Sequence, residues 1–330
     1  MSKIYKILML GYSRIGKTSL LASMYYIVQK QYSKDQRFRM QSGNDKTSEY
    51  LRRAEGRIAS ATDYIVNEPG EPTDTWIELE FKIFSGDDEV LRLQFLDYKG
   101  NQTDKDKKVQ DWLKNSDVII IPISAPALME SIGEWAKLND SFNNPSGISR
   151  IIQTEQNREK KRLVIFSPIK CEKYLQEVND GGQKLANKVE DAYSDLINYL
   201  KSQTQNGIRT NCAVILPIET IGGAKFTGFK MFYEENEEII KETFANPRRE
   251  YKPQYADQIL RYIARFALAR AAEESLREKP DQPDKPGCCP DKELVDKRDK
   301  TLEEIKRIEK RIMVFKEGLK LYAGGCKQDR

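Results

Sequence analysis

Residues 11–18 read GYSRIGKT, and they match G-x-x-x-x-G-K-[ST], the phosphate-binding P-loop. KIYKILML (3–10) before them has the apolar run of a buried strand, and SLLASMYYIVQK (19–30) after them reads as a helix. Gly11 and Gly16 permit the tight turn that lets backbone N–H groups close around phosphate oxygens. The helix adds the positive end of its dipole. Lys17 is then placed to reach the β- and γ-phosphates, and the Thr18 hydroxyl to bind Mg²⁺. Tyr12, Ser13, Arg14, Ile15 and Ser19 complete the expected cradle.

Outward from the loop, strands and helices alternate. Residues 45–67 (DKTSEYLRRAEGRIASATDYIVN) carry Leu51, Ala54, Ile58, Ala61 and Ile65 at steps of three and four, which predicts an amphipathic helix. It lies in an insertion at about 32–72, where RFRM (37–40) suggests a short strand and NEPGEP (67–72) a break. TDTWIELEFKIF (73–84) and VLRLQFLD (90–97) flank the turn residues SGDDE and predict an antiparallel hairpin. Then come a helix at 104–115, a buried strand at 117–124, a helix around 126–139 and a polar loop at 139–148. A strand at 163–169, a helix at 183–203, a last strand at 211–218 and a last helix at 256–276 follow. Apolar strands alternating with helices predict an α/β fold: a mainly parallel six-stranded P-loop NTPase sheet with helices on both faces.

The C-terminal segment differs. Residues 279–292 hold Pro280, Pro283, Pro286 and Pro290 and read as a linker between a domain at 1–278 and the segment 293–330. From Leu294 through Ile305, Ile312 and Leu319 to Tyr322, apolar positions recur at heptad spacing. That pattern predicts a helical or coiled-coil extension, packed on its own domain or presented to a partner or a second copy.

Charge narrows the chemistry. The 330 residues include 55 Lys and Arg against 51 Asp and Glu, a formal balance of +4 with the signs interleaved. That is no electrostatic footprint for nucleic acid. No apolar run of membrane length and no signal-type segment is present, so a cytoplasmic protein without a membrane span is expected. The five cysteines lack paired C-x-x-C spacing and read as reduced thiols. No histidine occurs anywhere. Histidine bases and histidine-bound metals are therefore excluded, and oxygen-ligated Mg²⁺ is the natural metal.

A second motif supports the first. LDYKG (96–100), at the end of the second hairpin strand, fits D-x-x-G. Asp97 is placed to hold Mg²⁺ through a water, and the Gly100 N–H to meet a γ-phosphate, as phosphoryl transfer requires of its protein partner.

With these motifs in order, the chain resembles the Ras-like, translation-factor-related class of P-loop GTPases. The resemblance implies a switch threonine before the first hairpin strand, for which Thr73 and Thr75 both qualify and Thr73 is preferred as a metal ligand. It implies a base-recognition motif [NT]-K-x-D, for which the chain offers Ile169-Lys170-Cys171-Glu172. There the Lys170 stem would lie along the base, and Glu172 would accept from guanine N1–H and N2–H₂. In IETIGG (218–223), the Gly222 N–H takes the place of a contact to guanine O6. Asn101 stands where Ras-like enzymes orient the attacking water, with Gln102 beside it. Arg14 makes the loop similar to the G-x-x-R-x-G-K of guanylate-binding proteins and atlastins. There the arginine is a cis finger engaged on dimerisation; otherwise it stays in solvent or meets the insertion.

Within the class, the helical insertion, IKCEKY, PIETIGG and YKPQYADQILRYIARF (251–266) are similar to bacterial double-GTPase-type proteins, which occur beside effector or regulatory genes of conflict systems. The resemblance implies GTP/GDP and Mg²⁺ as cofactors, a guanine-nucleotide switch read by an effector or regulatory protein, and a homodimer as one mode of activation. Two alternatives stay open: a nucleotide-bound scaffold with little hydrolysis, or an ATPase if Glu172 does not reach the base.

Overall fold

A computed structural model describes residues 3–13, 15–31, 39–59, 64–66, 76–85, 87–98, 106–155, 160–176, 182–205, 208–209, 211–234, 237–245 and 251–277. In chain order its elements are β1 (Ile4–Met9), α1 (Lys17–Gln31), β2 (Arg39–Ser42), α2 (Asp45–Ala59), β3 (Tyr64–Val66), β4 (Ile77–Ser85), β5 (Asp88–Asp97) and α3 (Lys107–Asn115). Next are β6 (Val118–Ser124), α4 (Ala125–Met129), α5 (Leu138–Phe142), α6 (Pro145–Glu155), β7 (Arg162–Ile169), α7 (Glu172–Gln176), α8 (Gln183–Ala192) and α9 (Ser194–Ser202). The chain continues through β8 (Thr204–Gln205), β9 (Ile208–Arg209), β10 (Asn211–Ile215), β11 (Lys225–Glu234), β12 (Glu237–Ala245) and α10 (Asp257–Arg277).

The central sheet runs β10-β7-β6-β1-β5-β4-β2. β1 pairs parallel with β5 on one side and β6 on the other, while β4 joins β5 and β2 joins β4 antiparallel. From β1 the chain first builds out through β4 and β5, then crosses to build β6, β7 and β10. That reversal opens a crevice at the carboxyl ends of the strands beside β1, where ligands of open α/β sheets bind. Both faces are apolar and covered. Along β6, Val118 and Ile120 join one core with Met24 of α1 and Ile259 and Ile263 of α10. Ile119, Ile121 and Ile123 point the other way, into a core with Trp112 of α3, Ile152 of α6 and Leu196 of α9. This alternation explains why the interior strands read as unbroken apolar runs.

The mainly parallel α/β sheet matches expectation, with several corrections. It has seven strands, because β2 adds an antiparallel edge. The insertion helix stops at Ala59, and Tyr64–Val66, expected to be helical, forms a strand against β12. Tyr, Ile and Val suit a pleated surface, and a partner strand there outweighs the helical spacing of Ile65. The expected loop at 139–148 is largely helical: Asn144 Oδ1 accepts from Gly147 N at 3.0 Å and opens α6, with Pro145 at its first position. The helix around 126–139 is two short pieces, α4 and α5, and 183–203 divides into α8 and α9 at Tyr193. Most important, 211–218 is not the last strand. β11 and β12 form a hairpin, and with β3 they build a second sheet ordered β11-β12-β3.

The linker 279–292 and the heptad segment 293–330 lie outside the described residues. No helix among those described is long and apolar enough to cross a membrane.

Phe244 anchors the second sheet: it is 1% exposed, packs edge-on to Phe226 at 5.8 Å and pairs in register with Ile65. Phe244→Ala is expected to cost about 3–5 kcal/mol. Urea denaturation of the variant against wild type measures it.

Candidate functional site

At the carboxyl end of β1 the chain turns through Gly11–Gly16 into α1. Gly16 has φ +111°, and a Cβ there would lie 2.7 Å from Ile169 Cδ1 and 3.5 Å from Lys170 Cε. The loop therefore needs glycine for its conformation, and equally to let Ile169 and Lys170 approach. Leu20 N donates to Gly16 O at 2.9 Å, closing the first turn of α1. Ile15 is buried, and Asn144 Nδ2 donates to Tyr12 Oη at 2.6 Å, pinning the outer loop to the start of α6.

Lys17 is 6% exposed, yet among the described residues it finds no carboxylate within ion-pair distance. Its ammonium donates to Gly11 O at 2.8 Å and Tyr12 O at 3.0 Å and stands 5.0 Å from the centre of the Tyr98 ring. Burial lowers its pKa to about 8, partly offset by the charge of Asp97. A buried ammonium held on loop carbonyls, with no anion against it, suits a phosphate.

Asp97 ends β5 and is 1% exposed. Thr18 Oγ1 donates to its Oδ2 at 2.8 Å, and Tyr50 Oη donates to the same oxygen at 2.7 Å. Oδ1 has no partner among the described residues. These are hard oxygen donors, one hydroxyl and one carboxylate, without nitrogen or sulfur. That set fits Mg²⁺, which takes one or two carboxylates alongside substrate phosphates. Among the described residues no group of three or more Cys, Asp or Glu gathers as a self-sufficient metal site.

The other half of the crevice is formed after β7. Lys170 has φ +59°, a left-handed turn that directs 170–172 across the sheet end. Its backbone N donates to Thr220 Oγ1 at 3.3 Å. Its ammonium, 4% exposed, pairs with Glu242 of β12, which is fully buried and whose other oxygen accepts from Ser124. Glu172 Oε1 accepts from Ile221 N at 2.6 Å and Gly222 N at 2.9 Å, while Oε2 is buried without a partner among the described residues. Burial raises the Glu172 pKa to about 7 against these backbone donors. Gly222 has φ +60°, and a Cβ there would fall 1.8 Å from Lys252 O, so only glycine fits.

The crevice thus gathers Gly11, Tyr12, Ser13, Ile15, Gly16, Lys17, Thr18, Ser19, Asp97, Lys170, Glu172 and Gly222. Two placements differ from the expected roles. Gly222 gives its N–H to Glu172, and the Lys170 ammonium is engaged by Glu242. Arg14, Thr73, Thr75, Gly100, Asn101 and Gln102 lie outside the described residues. Tyr50 and Glu242 were missed by sequence reasoning. Tyr50 had a signal, since it falls at i+3 from buried Thr47 and i−4 from buried Ala54. Glu242 had none, because a carboxylate in a strand reads as solvent-facing.

No family model matches the chain, and no curated protein matches it. Solved structures do. A structure of sup35 complexed with GDP matches at 11% identity and a TM-score of 0.33, covering 67% of this chain and 38% of that one. The S. cerevisiae Ski7 GTPase-like domain, bound to GTP, matches at 14% identity and a TM-score of 0.31, covering 67% of this chain and 43% of that one. The chain spans less than half the length of either.

Glu172 generates a pH test. Its folded pKa of about 7 lies above the usual 4.5, so between those values the folded state binds more protons than the unfolded one. Its contribution to stability therefore falls as pH rises through that window, by about 3 kcal/mol in all. Glu172→Gln keeps an acceptor for both N–H groups and is expected to remove this decline. Denaturation midpoints of both proteins from pH 4.5 to 8 check it; parallel profiles would contradict it.

Proposed function

We propose that this chain is a magnesium-dependent GTP-binding protein that hydrolyses GTP to GDP and phosphate and acts as a nucleotide-controlled switch for a partner protein. The observation that carries this is the convergence of Lys17, Thr18 and Asp97 at the carboxyl end of β1 and β5, beside the turn that holds Lys170 and Glu172. An ammonium without a counter-anion and a hydroxyl–carboxylate pair suit a phosphate chain and its metal.

In this reading Lys17 binds the β- and γ-phosphate oxygens, and the turn at Gly16 brings backbone N–H groups to the same chain. Thr18 and Asp97 would hold Mg²⁺, with Thr73 as the third expected ligand. Bound there, the metal supplies charge neutralisation between the phosphates. Gly100 senses the γ-phosphate, Asn101 and Gln102 orient the attacking water, and Arg14 meets developing charge. Glu172 Oε2, with no donor of its own, accepts from the Watson–Crick edge of guanine, while adenine would turn its N1 lone pair toward that carboxylate. The 67–75 and 97–104 loops carry the switch. The motif order supports membership of the Ras-like, translation-factor-related class, near bacterial double-GTPase-type proteins, with a role in a bacterial conflict system and a cytoplasmic location as part of the same reading. The domain at 1–278 carries the nucleotide, and the segment 293–330 is the arm for the partner or a second copy.

One observation favours a second reading. Gly222 gives to Glu172 the N–H that would meet guanine O6. If that bond persists with nucleotide bound, guanine selectivity weakens, and the chain is an ATPase or a scaffold that holds nucleotide without turning it over.

Competition of ATP against labelled GTP, with and without Mg²⁺, tests the nucleotide. Magnesium-dependent binding that GTP displaces and ATP does not is expected, with Lys17→Ala losing about 10–100-fold in affinity. Binding unchanged in Lys17→Ala sinks the assignment. Phosphate release that rises with protein concentration and is lost in Arg14→Ala identifies a dimer-activated enzyme. Flat background release with nucleotide retained identifies the scaffold.

A further inference from the structure

The insertion helix reaches the metal end of the crevice through one side chain. Tyr50 stands on α2, half-buried, and its hydroxyl lies 2.7 Å from Asp97 Oδ2 and 3.3 Å from Thr18 Oγ1. Thr18 itself donates to that same carboxylate oxygen at 2.8 Å. Two hydroxyls from different elements thus converge on one oxygen of a carboxylate that is 1% exposed. They fix the plane of the carboxylate and leave Oδ1 for a further ligand.

α2 is held firmly enough for this contact to matter. Asn44 Oδ1 caps it by accepting from Thr47 N at 2.8 Å. Thr47, fully buried, accepts on Oγ1 from Glu80 N at 3.1 Å, and Gly43 N donates to Glu80 O at 2.6 Å. Thr47 and Ala54, three before and four after Tyr50, are buried on its side of the helix, with Leu51 buried next to them. A phenol on a helix tied to the sheet edge is therefore aimed at the end of β5, three strands in from that edge, counting β2, β4 and β5.

We propose that Tyr50 is a positioning residue for the magnesium site, orienting Asp97 and Thr18, and that it couples occupation of that site to helix α2. The proposal rests on the reading that Thr18 and Asp97 hold Mg²⁺. Groups that hydrogen-bond metal ligands set ligand orientation, and their loss costs about 10–100-fold in metal affinity. Linkage makes the effect reciprocal: whatever factor the seated phenol adds to metal affinity, the metal returns as preference for the seated phenol. Since the phenol is carried by α2, that preference falls on the insertion. The insertion helix is then the element through which a partner reads the loaded site.

Tyr50→Phe removes the hydroxyl and keeps the ring, so packing on α2 is retained. Release of a fluorescent GDP analogue is measured against free Mg²⁺ in wild type and variant, and analogue affinity is measured separately in EDTA. The expected result is a half-saturating Mg²⁺ concentration raised about tenfold or more in the variant, with affinity in EDTA unchanged. Hydrogen exchange over residues 45–59 is expected to slow on adding Mg²⁺ and GDP in wild type, and to slow less in the variant. An unchanged half-saturation point overturns the proposal, and so does a lower one, which would make the phenol a competitor of the metal. An equal loss in EDTA also overturns it, leaving Tyr50 a structural contact. A wild type that binds the analogue without any Mg²⁺ dependence removes the metal reading, and this proposal with it.

Discussion

One desolvated ion pair ties the β11-β12-β3 sheet to the carboxyl end of the central sheet. Lys170 and Glu242 are 4% and 0% exposed at their side chains and pair directly, while Ser124 satisfies the second carboxylate oxygen. Ser124 is itself fixed, since its N donates to Asn143 Oδ1 at 2.7 Å and its hydroxyl accepts from Ala127 N at 3.1 Å. Such a pair adds little net stability over a well-packed apolar substitute, but losing one partner strands the other charge, at about 3–5 kcal/mol. Its effect is to prescribe geometry. β12 stays where Glu242 meets Lys170, and Lys170 keeps the left-handed backbone that turns 170–172 over the crevice.

The insertion follows from that anchor. β3 pairs with β12 through Tyr64, Ile65 and Val66, directly beyond Glu242. α2, earlier in the same insertion, reaches Asp97 through Tyr50. One segment of chain therefore reaches both ends of the crevice, Asp97 through a phenol and the neighbourhood of Lys170 through a strand. Strand pairing makes the second contact; at the first, the Tyr50 hydroxyl reaches Asp97 from a helix that Thr47, Leu51 and Ala54 bury against the sheet.

The central sheet was legible because its signals are local. A P-loop needs particular residues at particular spacings, and strands buried on both faces, such as VIIIPIS and LVIFSPI, have no charged positions and only one serine each to interrupt the apolar run. The candidate residues came from motif spacing and, for Lys170, Glu172 and Gly222, from the resemblance, and those that are described lie around one crevice. What stayed hidden depends on distant partners. Tyr64–Val66 has helical spacing on its neighbours' account, and only the edge of β12, nearly 180 residues away, makes it a strand. The β11–β12 hairpin is rich in aromatic and β-branched residues, yet paired charges such as Glu237-Glu238 and Lys241-Glu242 break any clean alternation and disguise it as surface. Glu242 was beyond reach, because its burial depends on Lys170, a residue from another sheet. The polar run at 139–148 misled for the opposite reason: its asparagines cap helices and bridge strand ends and do not face water.

The pairing of β3 with β12 also orders the assembly of the molecule in time. Tyr64–Val66 meets Thr243–Ala245, and Tyr5 donates to Ala267 O across 262 residues. Contacts so distant in sequence form slowly, since long loops must close before any contact rewards the closure. On a ribosome, the P-loop and the hairpin bearing Asp97 emerge long before the strand that bears Glu242. Until β12 arrives, Lys170 lacks its Glu242 partner and β3 lacks its pairing strand, so the second sheet and the turn at 170–172 reach their final form late.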